Sequence, residues 1–233
     1  MITVCAVSDL HGTLPKIKPC DICIIAGDIV PLDIQGKKTQ SIVWFFKTFL
    51  PWIKELPCEN VYMVAGNHDF LLEYDYPLAK ALEYLSDFKL CYLLNSTETY
   101  LSEDGEEYII YGSPQCHQFG NWAFMYSESY LDGLYSNVAE GVDIWITHDT
   151  PKLGDLDLLP PSQWNSESVH AGGESLAKAI LEVKPSYVFC GHLHTCKDKF
   201  YQVANTKIYN VSILDNGYNN VYEPTYVEIE SRR

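Results

Sequence analysis

Residues 187–196, "YVFCGHLHTC", run from an apolar, β-prone segment through a glycine to two histidines, His192 and His194. A short apolar run without alternation is typical of a strand that is buried on both faces. The glycine lets the chain turn sharply where that strand ends. Cys190 and Cys196 flank the histidines, so the stretch taken alone suggests a zinc site with thiolate and imidazole ligands. The rest of the sequence argues against the cysteines as ligands.

The same pattern occurs five times in the chain, because five short apolar runs end abruptly in residues that can bind a metal. The runs are 3–11 "TVCAVSDLH", 22–28 "ICIIAGD", 61–69 "VYMVAGNHD", 143–149 "DIWITHD" and 187–194 "YVFCGHLH". Helical periodicity follows the second and third runs and precedes the fifth. This order of strands and helices predicts a parallel sheet, in which ligands bind beyond the carboxyl ends of the strands. All five groups of metal-binding residues fall at those ends.

Two later segments, 200–213 and 225–230, alternate between apolar and polar residues and therefore predict antiparallel strands. The whole pattern predicts an α/β fold in which two packed sheets carry helices on their outer faces. The sequence contains no internal repeat, low-complexity tract or linker rich in Pro, Gly and Ser that would mark a boundary. We therefore expect one domain over residues 1–233.

Five of the seven histidines lie at the predicted strand ends, together with two aspartates and one asparagine. The group comprises Asp9, His11, Asp28, Asn67, His68, His148, His192 and His194. A single histidine near a strand is usually structural, but several imidazoles and two carboxylates are costly to bury together without a cation. Imidazole nitrogens with carboxylate and amide oxygens suit Zn, Mn, Fe, Co or Ni. Seven candidate ligands are too many for one tetrahedral ion and suit two ions that share a ligand.

The ordered series D-x-H, GD, GNHD, THD and GHLH, from Asp9 to His194, resembles the signature of the calcineurin-like metallophosphoesterases. The resemblance implies a four-layer α/β/β/α sandwich and a binuclear metal centre, with manganese favoured. It assigns Asp9, His11, Asp28 and His194 to one ion, and Asp28, Asn67, His148 and His192 to the other, with Asp28 as the bridge. It also implies that His68 is the catalytic acid and that Asn67 and His68 contact the phosphate. Two ions roughly 3.5–4 Å apart lower the pKa of a shared water, which then attacks phosphorus near neutral pH.

The stretch 27–33, "GDIVPLD", departs from the serine/threonine phosphatase branch, because Pro31 stands where that branch has an aspartate. Arg232 and Arg233 are the only arginines, so the arginines of that branch are missing as well. Both features disfavour a protein phosphatase. The missing aspartate leaves open which group orients His68, with Asp69 and Asp33 as candidates.

Three other stretches, 111–126, 147–157 and 170–176, resemble the smaller branch that is named for its metallophosphoesterase domain. That branch is linked to hydrolysis of phosphodiesters, including cyclic nucleotides. We therefore predict a binuclear phosphoesterase for a small phosphodiester or nucleotide. A phosphomonoesterase, a non-enzymatic metal-binding scaffold and a nuclease remain alternatives.

Aromatic and histidine residues in these stretches allow two interpretations each. Phe119, Trp122 and Tyr126 could stack on a nucleobase, or pack a lid or the core. His117 is interpreted as a surface histidine. His170 and the glycines after it precede a helix, where they form either an anion site or, as we favour, a helix cap.

The formal net charge of −15 argues against long nucleic acids as partners, since binding their backbone needs a basic surface. No apolar run is long enough for a membrane span, and the first residues lack a secretory pattern. We thus expect a cytoplasmic protein with reduced thiols, in which the C-x-x-C of residues 20–23 packs a strand. Cys190 is expected in a buried strand and Cys196 in the loop beyond, both outside the metal site. The sequence leaves the oligomeric state open.

Overall fold

The computed structural model describes residues 1–162, 166–195 and 199–230. The strands are β1 (Ile2–Val7), β2 (Ile22–Ala26), β3 (Asn60–Val64), β4 (Leu90–Tyr92), β5 (Ser96–Leu101), β6 (Glu107–Ser113), β7 (Cys116–His117), β8 (Met125–Tyr126), β9 (Ile144–Thr147), β10 (Leu158–Leu159), β11 (Val169–His170), β12 (Tyr187–Cys190), β13 (Phe200–Val203), β14 (Thr206–Asn210) and β15 (Thr225–Ile229). The helices are α1 (Lys38–Trp44), α2 (Leu50–Glu55), α3 (Phe70–Tyr74), α4 (Tyr76–Leu85), α5 (Glu128–Tyr135) and α6 (Glu174–Val183). A π-helical segment, Phe45–Phe49, joins α1 to α2 directly before Pro51, which has no N–H to continue the helical bonding.

The first sheet has five strands in the order β15-β1-β2-β3-β4. Strands β1 to β4 are parallel, and β15 is antiparallel to β1, as the alternation of residues 225–230 predicts. Every residue of β2 is buried, which explains why its sequence is an unbroken apolar run.

The second sheet has six strands in the order β13-β14-β12-β9-β6-β5. Its four inner strands are parallel, and the edge strands β13 and β5 pair antiparallel to them. The antiparallel pairing predicted for residues 200–213 is confirmed between β13 and β14. However, β14 pairs on its other side with β12 in the parallel direction.

The core consists of three apolar layers. Side chains such as Ile24, Val64 and Phe189 fill the space between the two sheets. The helices α1, α2 and α4 cover the outer face of the first sheet, and α5 and α6 cover that of the second. The predicted four-layer α/β/β/α sandwich is confirmed. None of the described helices is both long and apolar enough to span a bilayer.

Strands β1, β2 and β3 of the first sheet end at the same edge of the molecule as β9 and β12 of the second. A backbone hydrogen bond fixes the two sheets to each other there, since the N–H of Ser8 donates to the carbonyl of Val211 at 2.9 Å. Within the second sheet, the N–H of Gly191 donates to the carbonyl of His148 at 3.1 Å, which couples the ends of β12 and β9. The N–H of Asp9 donates to the carbonyl of Gly27 at 3.0 Å, which couples the ends of β1 and β2. The strand ends that carry the predicted ligands are therefore held side by side.

Candidate metal centre

The turns after the strands have an uncommon backbone conformation. Asp9, His11, Asp28 and His192 all have positive φ angles, of 56°, 40°, 54° and 68°. Such angles cost conformational energy for residues other than glycine, and they cluster at functional sites. Gly27 is required at its position, because an added Cβ would lie 2.5 Å from Nδ1 of His148. The backbone thus adopts strained angles and close contacts that direct these side chains towards one point.

Six of the predicted site residues form three overlapping groups whose potential ligand atoms lie within 4.8 Å of one another. The groups are Asp9, His11 and His194; Asp9, Asp28 and His148; and His11, Asp28 and His68. Asp28 Oδ2 lies 3.5 Å from His11 Nε2 and 3.3 Å from His148 Nε2. Asp9 Oδ1 lies 3.2 Å from His194 Nε2. Asp9 and Asp28 therefore connect the groups, as a site for two ions requires.

Hydrogen bonds on the far side of two imidazoles fix their tautomers. Nδ1 of His148 donates to the carbonyl of Ala26 at 2.8 Å, and Nδ1 of His194 donates to that of Asp215 at 3.0 Å. A carbonyl can only accept, so Nδ1 carries the hydrogen in each ring, and Nε2 is left to face a carboxylate. Ligating histidines are commonly oriented by an outer hydrogen bond of this kind.

These contacts fit a cation between the side chains. A neutral Nε2 in His148 or His194 would face carboxylate lone pairs, so each ring needs either a second proton or a metal ion at that position. Both ring nitrogens of His11 are buried without a hydrogen-bond partner, which is costly for polar atoms unless something binds them. A metal ion satisfies all three imidazoles at once, and the nitrogen and oxygen donors suit a divalent transition metal.

The electrostatics of the site favour positive charge. Burial opposes ionisation of Asp9 and Asp28, but the neighbouring His194 and His148, respectively, hold the pKa of each carboxyl well below its usual range. Burial also opposes the charged form of His148, yet Asp28 raises its pKa to about 10. By contrast, burial lowers the pKa of His11 to about 4, so this ring is neutral and available as a ligand. Two carboxylates thus keep their charge and attract cations.

Asn67 and His192 lie beside these groups. Oδ1 of Asn67 is 3.0 Å from Nε2 of His148. The ring of His192 lies 5.2 Å from that of His148 between centroids, and the backbone N–H of His192 donates to Asp9 Oδ1 at 3.1 Å. Burial lowers the pKa of His192 to about 4, which leaves a neutral imidazole. Their assignment to the second ion stays a prediction.

His68 is oriented by Gln35, a residue that the sequence analysis missed. Nδ1 of His68 donates to Oε1 of Gln35, and the backbone N–H of His68 donates to Asp28 Oδ1 at 2.8 Å. Asp69 cannot orient the ring, because its carboxylate accepts the backbone N–H groups of three residues. These are Ile29 at 2.9 Å, Val30 at 3.0 Å and Gly66 at 2.8 Å. Asp33 is exposed and forms no bond to His68, so both sequence candidates for this role are wrong.

An open pocket of about 270 Å³ lies over these groups. Its walls are formed by Asp28, Asn67, His68, Phe119, Trp122, His192, His194, Asn216 and Tyr218. Trp122 packs against His68 at 4.6 Å between ring centroids, and Phe119 packs against His192 at 5.1 Å. Tyr126 is not in the wall and stacks on Tyr130 at 4.5 Å, which favours packing over stacking on a nucleobase for this residue. The residues predicted to contact phosphate, Asn67 and His68, both face the pocket.

His117 is not the surface histidine that the sequence suggested. Its backbone N–H and its Nδ1 lie 3.0 Å and 2.9 Å from Oδ2 of Asp149, a fully buried carboxylate, and its side chain is 17% exposed. This pair ties the loop that carries Phe119 and Trp122 to the end of β9. The only hint of this pair in the sequence is that Asp149 directly follows His148, a predicted ligand, and this is a weak signal.

The paired glycines before α6 do not form an anion site. The carboxylate of Glu128 accepts the N–H groups of Glu174 at 3.0 Å and Ser175 at 2.8 Å, which are the first amides of this helix. The N–H of Gly172 donates to Asp157, which also binds His170. The favoured interpretation as a helix cap is confirmed, although the capping group comes from another helix.

The described cysteines lie outside the three groups of ligand atoms. Cys190 is buried in β12, as predicted, and its thiol lies 3.5 Å from the carbonyl of Tyr209. Cys196 falls outside the described residues. The two histidines of "YVFCGHLHTC" therefore separate from Cys190 and join residues from other strands.

Comparisons with known proteins agree with this geometry. The chain is 28% identical over 246 residues to metallophosphoesterase domain-containing protein 1 of Homo sapiens, and the match covers 97% of this chain and 71% of that protein. It is also 28% identical over 198 residues to the probable rhamnogalacturonate lyase C of Emericella nidulans. That match covers 83% of this chain but only 17% of the Emericella protein.

The solved structures support the fold. The crystal structure of TT1561 of Thermus thermophilus matches with a TM-score of 0.58 at 14% identity, covering 90% of this chain and 88% of that one. Another crystal structure matches with a TM-score of 0.62 at 18% identity and covers 90% of both chains. The model of the calcineurin-like phosphoesterase family matches residues 2–196. Because this match spans most of the sequence and includes all five metal-binding motifs, the chain belongs to the calcineurin-like phosphoesterase family.

Proposed function

We propose that this metal-dependent phosphoesterase holds two ions and hydrolyses a small phosphodiester or nucleotide. The observation that carries the proposal is the set of three overlapping ligand groups joined by Asp9 and Asp28 at the base of an open pocket. The buried, unpartnered nitrogens of His11 support it, since a bound cation would give one of them a partner. A metal-binding scaffold without activity would need no proton donor in the pocket, whereas His68 lines it.

The proposed ligands are those that the family resemblance assigns. Asp9, His11, Asp28 and His194 would hold one ion, and Asp28, Asn67, His148 and His192 the other. When bound, two divalent ions supply a nucleophile near neutral pH and positive charge for the phosphoryl oxygens, with manganese as the favoured metal.

In this proposal His68 acts as the proton donor. Because Nδ1 donates to Gln35, Nε2 is the atom that faces the pocket, 3.9 Å from Asp28 Oδ2. Burial lowers the pKa of His68, so its protonated form gives up the proton readily. The proton would pass from Nε2 to the departing ester oxygen. The ring of Trp122 and the bond to Gln35 hold the imidazole in position for this transfer.

A diester is favoured over a monoester by charge. The sequence has no arginine before residue 232, so no guanidinium from the described residues can neutralise the second charge of a phosphomonoester. A diester carries a single negative charge and presents a second ester group. Phe119 and Trp122, which are 54% and 39% exposed, give that group an apolar surface at the rim. Phosphomonoester hydrolysis is the alternative.

The proposal is tested by steady-state hydrolysis of bis(p-nitrophenyl) phosphate and p-nitrophenyl phosphate after reconstitution with manganese, iron, zinc, cobalt or nickel. We expect faster turnover of the diester and loss of activity in Asp28→Asn. Asp33→Asn is the matched control, since Asp33 is an exposed carboxylate on the loop that follows Asp28. Faster monoester turnover would favour the alternative. No turnover with any of these metals would favour the scaffold.

Three expectations from the sequence stay predictions: a single domain over residues 1–233, a cytoplasmic location and the absence of long nucleic acids as partners. The net charge of −15 supports the last of these.

A further inference from the structure

Four cysteines from separate parts of the sequence lie together on the first sheet, away from the metal centre. Cys5 of β1 and Cys23 of β2 are register partners, and the thiol of Cys5 lies close to those of Cys23 and Cys20. Cys20 and Cys58 pack against the same apolar cluster, with the thiol of Cys20 close to that of Cys58. The four sulfurs therefore form a series, Cys23–Cys5–Cys20–Cys58. Cys20 and Cys58 precede the amino ends of β2 and β3, whereas the metal ligands follow the carboxyl ends.

Cys20 and Cys58 lie on adjacent segments of the chain. Both pack against the apolar cluster on the outer face of the first sheet, to which Cys5 and Cys23 belong. The N–H of Cys20 donates to the carbonyl of Pro57 at 3.2 Å, so the segments that precede β2 and β3 stay side by side. Neighbouring strands are about 4.8 Å apart, which lies within the Cα separation of roughly 4.4–6.8 Å that disulfides span.

The two ends of the series differ in access to solvent. Cys5 and Cys23 are fully buried in the core, where packing explains them. Cys20 and Cys58 are only partly buried and lie in loops. A reagent from solvent thus meets Cys20 and Cys58 first, and a loop can adjust to a new bond more easily than the middle of a strand.

The surroundings of Cys20 stabilise a thiolate. Hydrogen bonds from the thiols of Cys5 and Cys58, with the nearby charge of Lys89, lower the pKa of Cys20 to about 4 against the effect of burial. Lys89 is held beside this loop, because its Nζ donates to the carbonyls of Leu56 at 2.5 Å and Lys54 at 3.3 Å. An accessible thiolate next to a second thiol is the arrangement found at oxidation-sensitive cysteines.

A metal site is a weaker explanation for the cluster. In the described part of the chain, the groups with all ligand atoms within 4.8 Å are the three at the metal centre, and no three of these thiols form one. Zinc bound by thiolates is tetrahedral and needs the sulfurs mutually close. A series of pairwise contacts is better suited to disulfide formation between two neighbouring sulfurs.

We propose that Cys20 and Cys58 form a redox-active pair that hydroperoxides oxidise to a disulfide. The thiolate of Cys20 attacks the O–O bond of hydrogen peroxide, so that an S–O bond forms and hydroxide leaves. The thiol of Cys58 then loses its proton to that hydroxide, and its sulfur displaces hydroxide from the sulfenic acid of Cys20. This second hydroxide takes up from solvent the proton that Cys20 released on ionising. Overall, two thiols lose two electrons and two protons, and the peroxide becomes two molecules of water. This proposal does not depend on the phosphoesterase function.

The experiment treats the manganese-loaded full chain with one equivalent of hydrogen peroxide and maps disulfides by peptide mass spectrometry without reduction. We expect a bond between Cys20 and Cys58 in the wild type. In Cys58→Ser, dimedone should trap a sulfenic acid at Cys20. In Cys20→Ser, neither product should form. Cys91→Ser is the control, because burial raises the pKa of the half-buried Cys91 to about 12, and this variant should behave as the wild type.

A second measurement needs no oxidant. At pH 6, iodoacetamide should alkylate Cys20 at least about 10-fold faster than Cys91, since the thiolate is the reacting form. Lys89→Met should slow the alkylation of Cys20 several-fold and leave that of Cys91 unchanged. Equal rates for the two cysteines, a disulfide between Cys20 and Cys5, or zinc bound by all four thiols that blocks alkylation would each overturn the proposal.

Discussion

Gln35 gives His68 an orienting partner without a charge. Its amide oxygen accepts the hydrogen bond from Nδ1 of His68, which fixes the tautomer and the ring plane. A carboxylate in this place would stabilise the imidazolium and make it a weaker acid. Burial lowers the pKa of His68, and the neutral amide does not counteract this shift. His68 is therefore suited to protonate a leaving oxygen that is a strong base.

Gln35→Ala is expected to reduce kcat by about 10- to 100-fold, the usual effect of removing a group that orients a site residue. The loss should be larger for a diester of phenol than for bis(p-nitrophenyl) phosphate, because phenolate needs protonation more. The measurement is kcat for both substrates, with the metal content of each variant determined by elemental analysis. Asp33→Ala, in the same loop, should retain the wild-type kcat. An unchanged kcat in Gln35→Ala would show that His68 does not need this bond.

Six of the predicted site residues come together in the structure because each follows a recognisable strand, and their roles as ligands stay a prediction. The motifs placed Asp9, Asp28 and His194 at strand ends, and parallel topology then brings strand ends together. Gln35 could not be predicted in this way. It lies in an irregular loop after Pro31, where neither periodicity nor motif spacing relates its side chain to His68.

At the scale of elements, the loop between β7 and β8 shapes the pocket. Phe119 and Trp122 lie on it, and the bonds from His117 to Asp149 hold its start to the end of β9. A second bond fixes its end, since the N–H of Ala123 donates to the carbonyl of Asn67 at 3.0 Å. The rim of the pocket thus depends on two anchors, one of which is an ion pair.

His117→Gln is expected to lower the stability of the protein by about 1–2 kcal/mol at pH 6, where the charged bond is present. Burial opposes the charge, but Asp149 raises the pKa of His117 above its ordinary value near 6.5. For a raised histidine pKa, the stabilisation is complete below the unfolded value and is lost as the pH rises through the folded value. The difference in free energy of unfolding between wild type and variant, measured in urea, should thus shrink as the pH increases from 6 to 9. A difference that stays constant would mean that the ion pair contributes nothing.

The contact between α5 and α6 depends on a shared carboxylate. Glu128 is in the first turn of α5 and accepts the first two amides of α6, which otherwise have no partner within their helix. Glu128→Ala should therefore cost about 1–2 kcal/mol of unfolding free energy. Glu140→Ala is the control, because it removes an exposed carboxylate that does not cap a helix. Chemical denaturation of both variants at pH 7 checks this, and equal midpoints would contradict the capping role.

A local sequence pattern identifies a strand or a helix more reliably than it identifies the element with which that strand or helix pairs. Residues 206–210 alternate as an antiparallel strand does, and β14 indeed pairs antiparallel with β13. Its parallel pairing with β12 is set by the long-range position of that strand, which no local pattern records. The cap of α6 shows the same limit, because glycines predicted a helix start but not that Glu128 of another helix would bind it.

At the scale of the whole molecule, the proposed ligands come from both sheets. Asp9 and Asp28 follow strands of the first sheet, and His148 and His194 follow strands of the second. Ions held between them would therefore join the two sheets across the edge where their strands end. In their absence, like-charged carboxylates and a charged His148 remain packed together. Metal binding should consequently stabilise the entire sandwich rather than one loop.

Removal of the metal by EDTA is expected to lower the Tm by roughly 5–11 °C, if the metal is supplied at about 100 times its Kd, which corresponds to about 2.7 kcal/mol. The effect should grow with pH. In the metal-free site, Asp28 raises the pKa of His148 to about 10, against the effect of burial. The bond to Asp28 therefore stabilises the metal-free protein below the ordinary pKa of histidine, and this stabilisation is lost as the pH rises through the raised pKa. A metal must displace this proton, so its affinity increases from pH 6 to pH 8. Thermal unfolding of the protein with and without EDTA at pH 6, 7 and 8 measures both trends. Asp28→Asn should show no shift at any pH, whereas a wild-type shift that is independent of pH would mean that His148 is not a ligand.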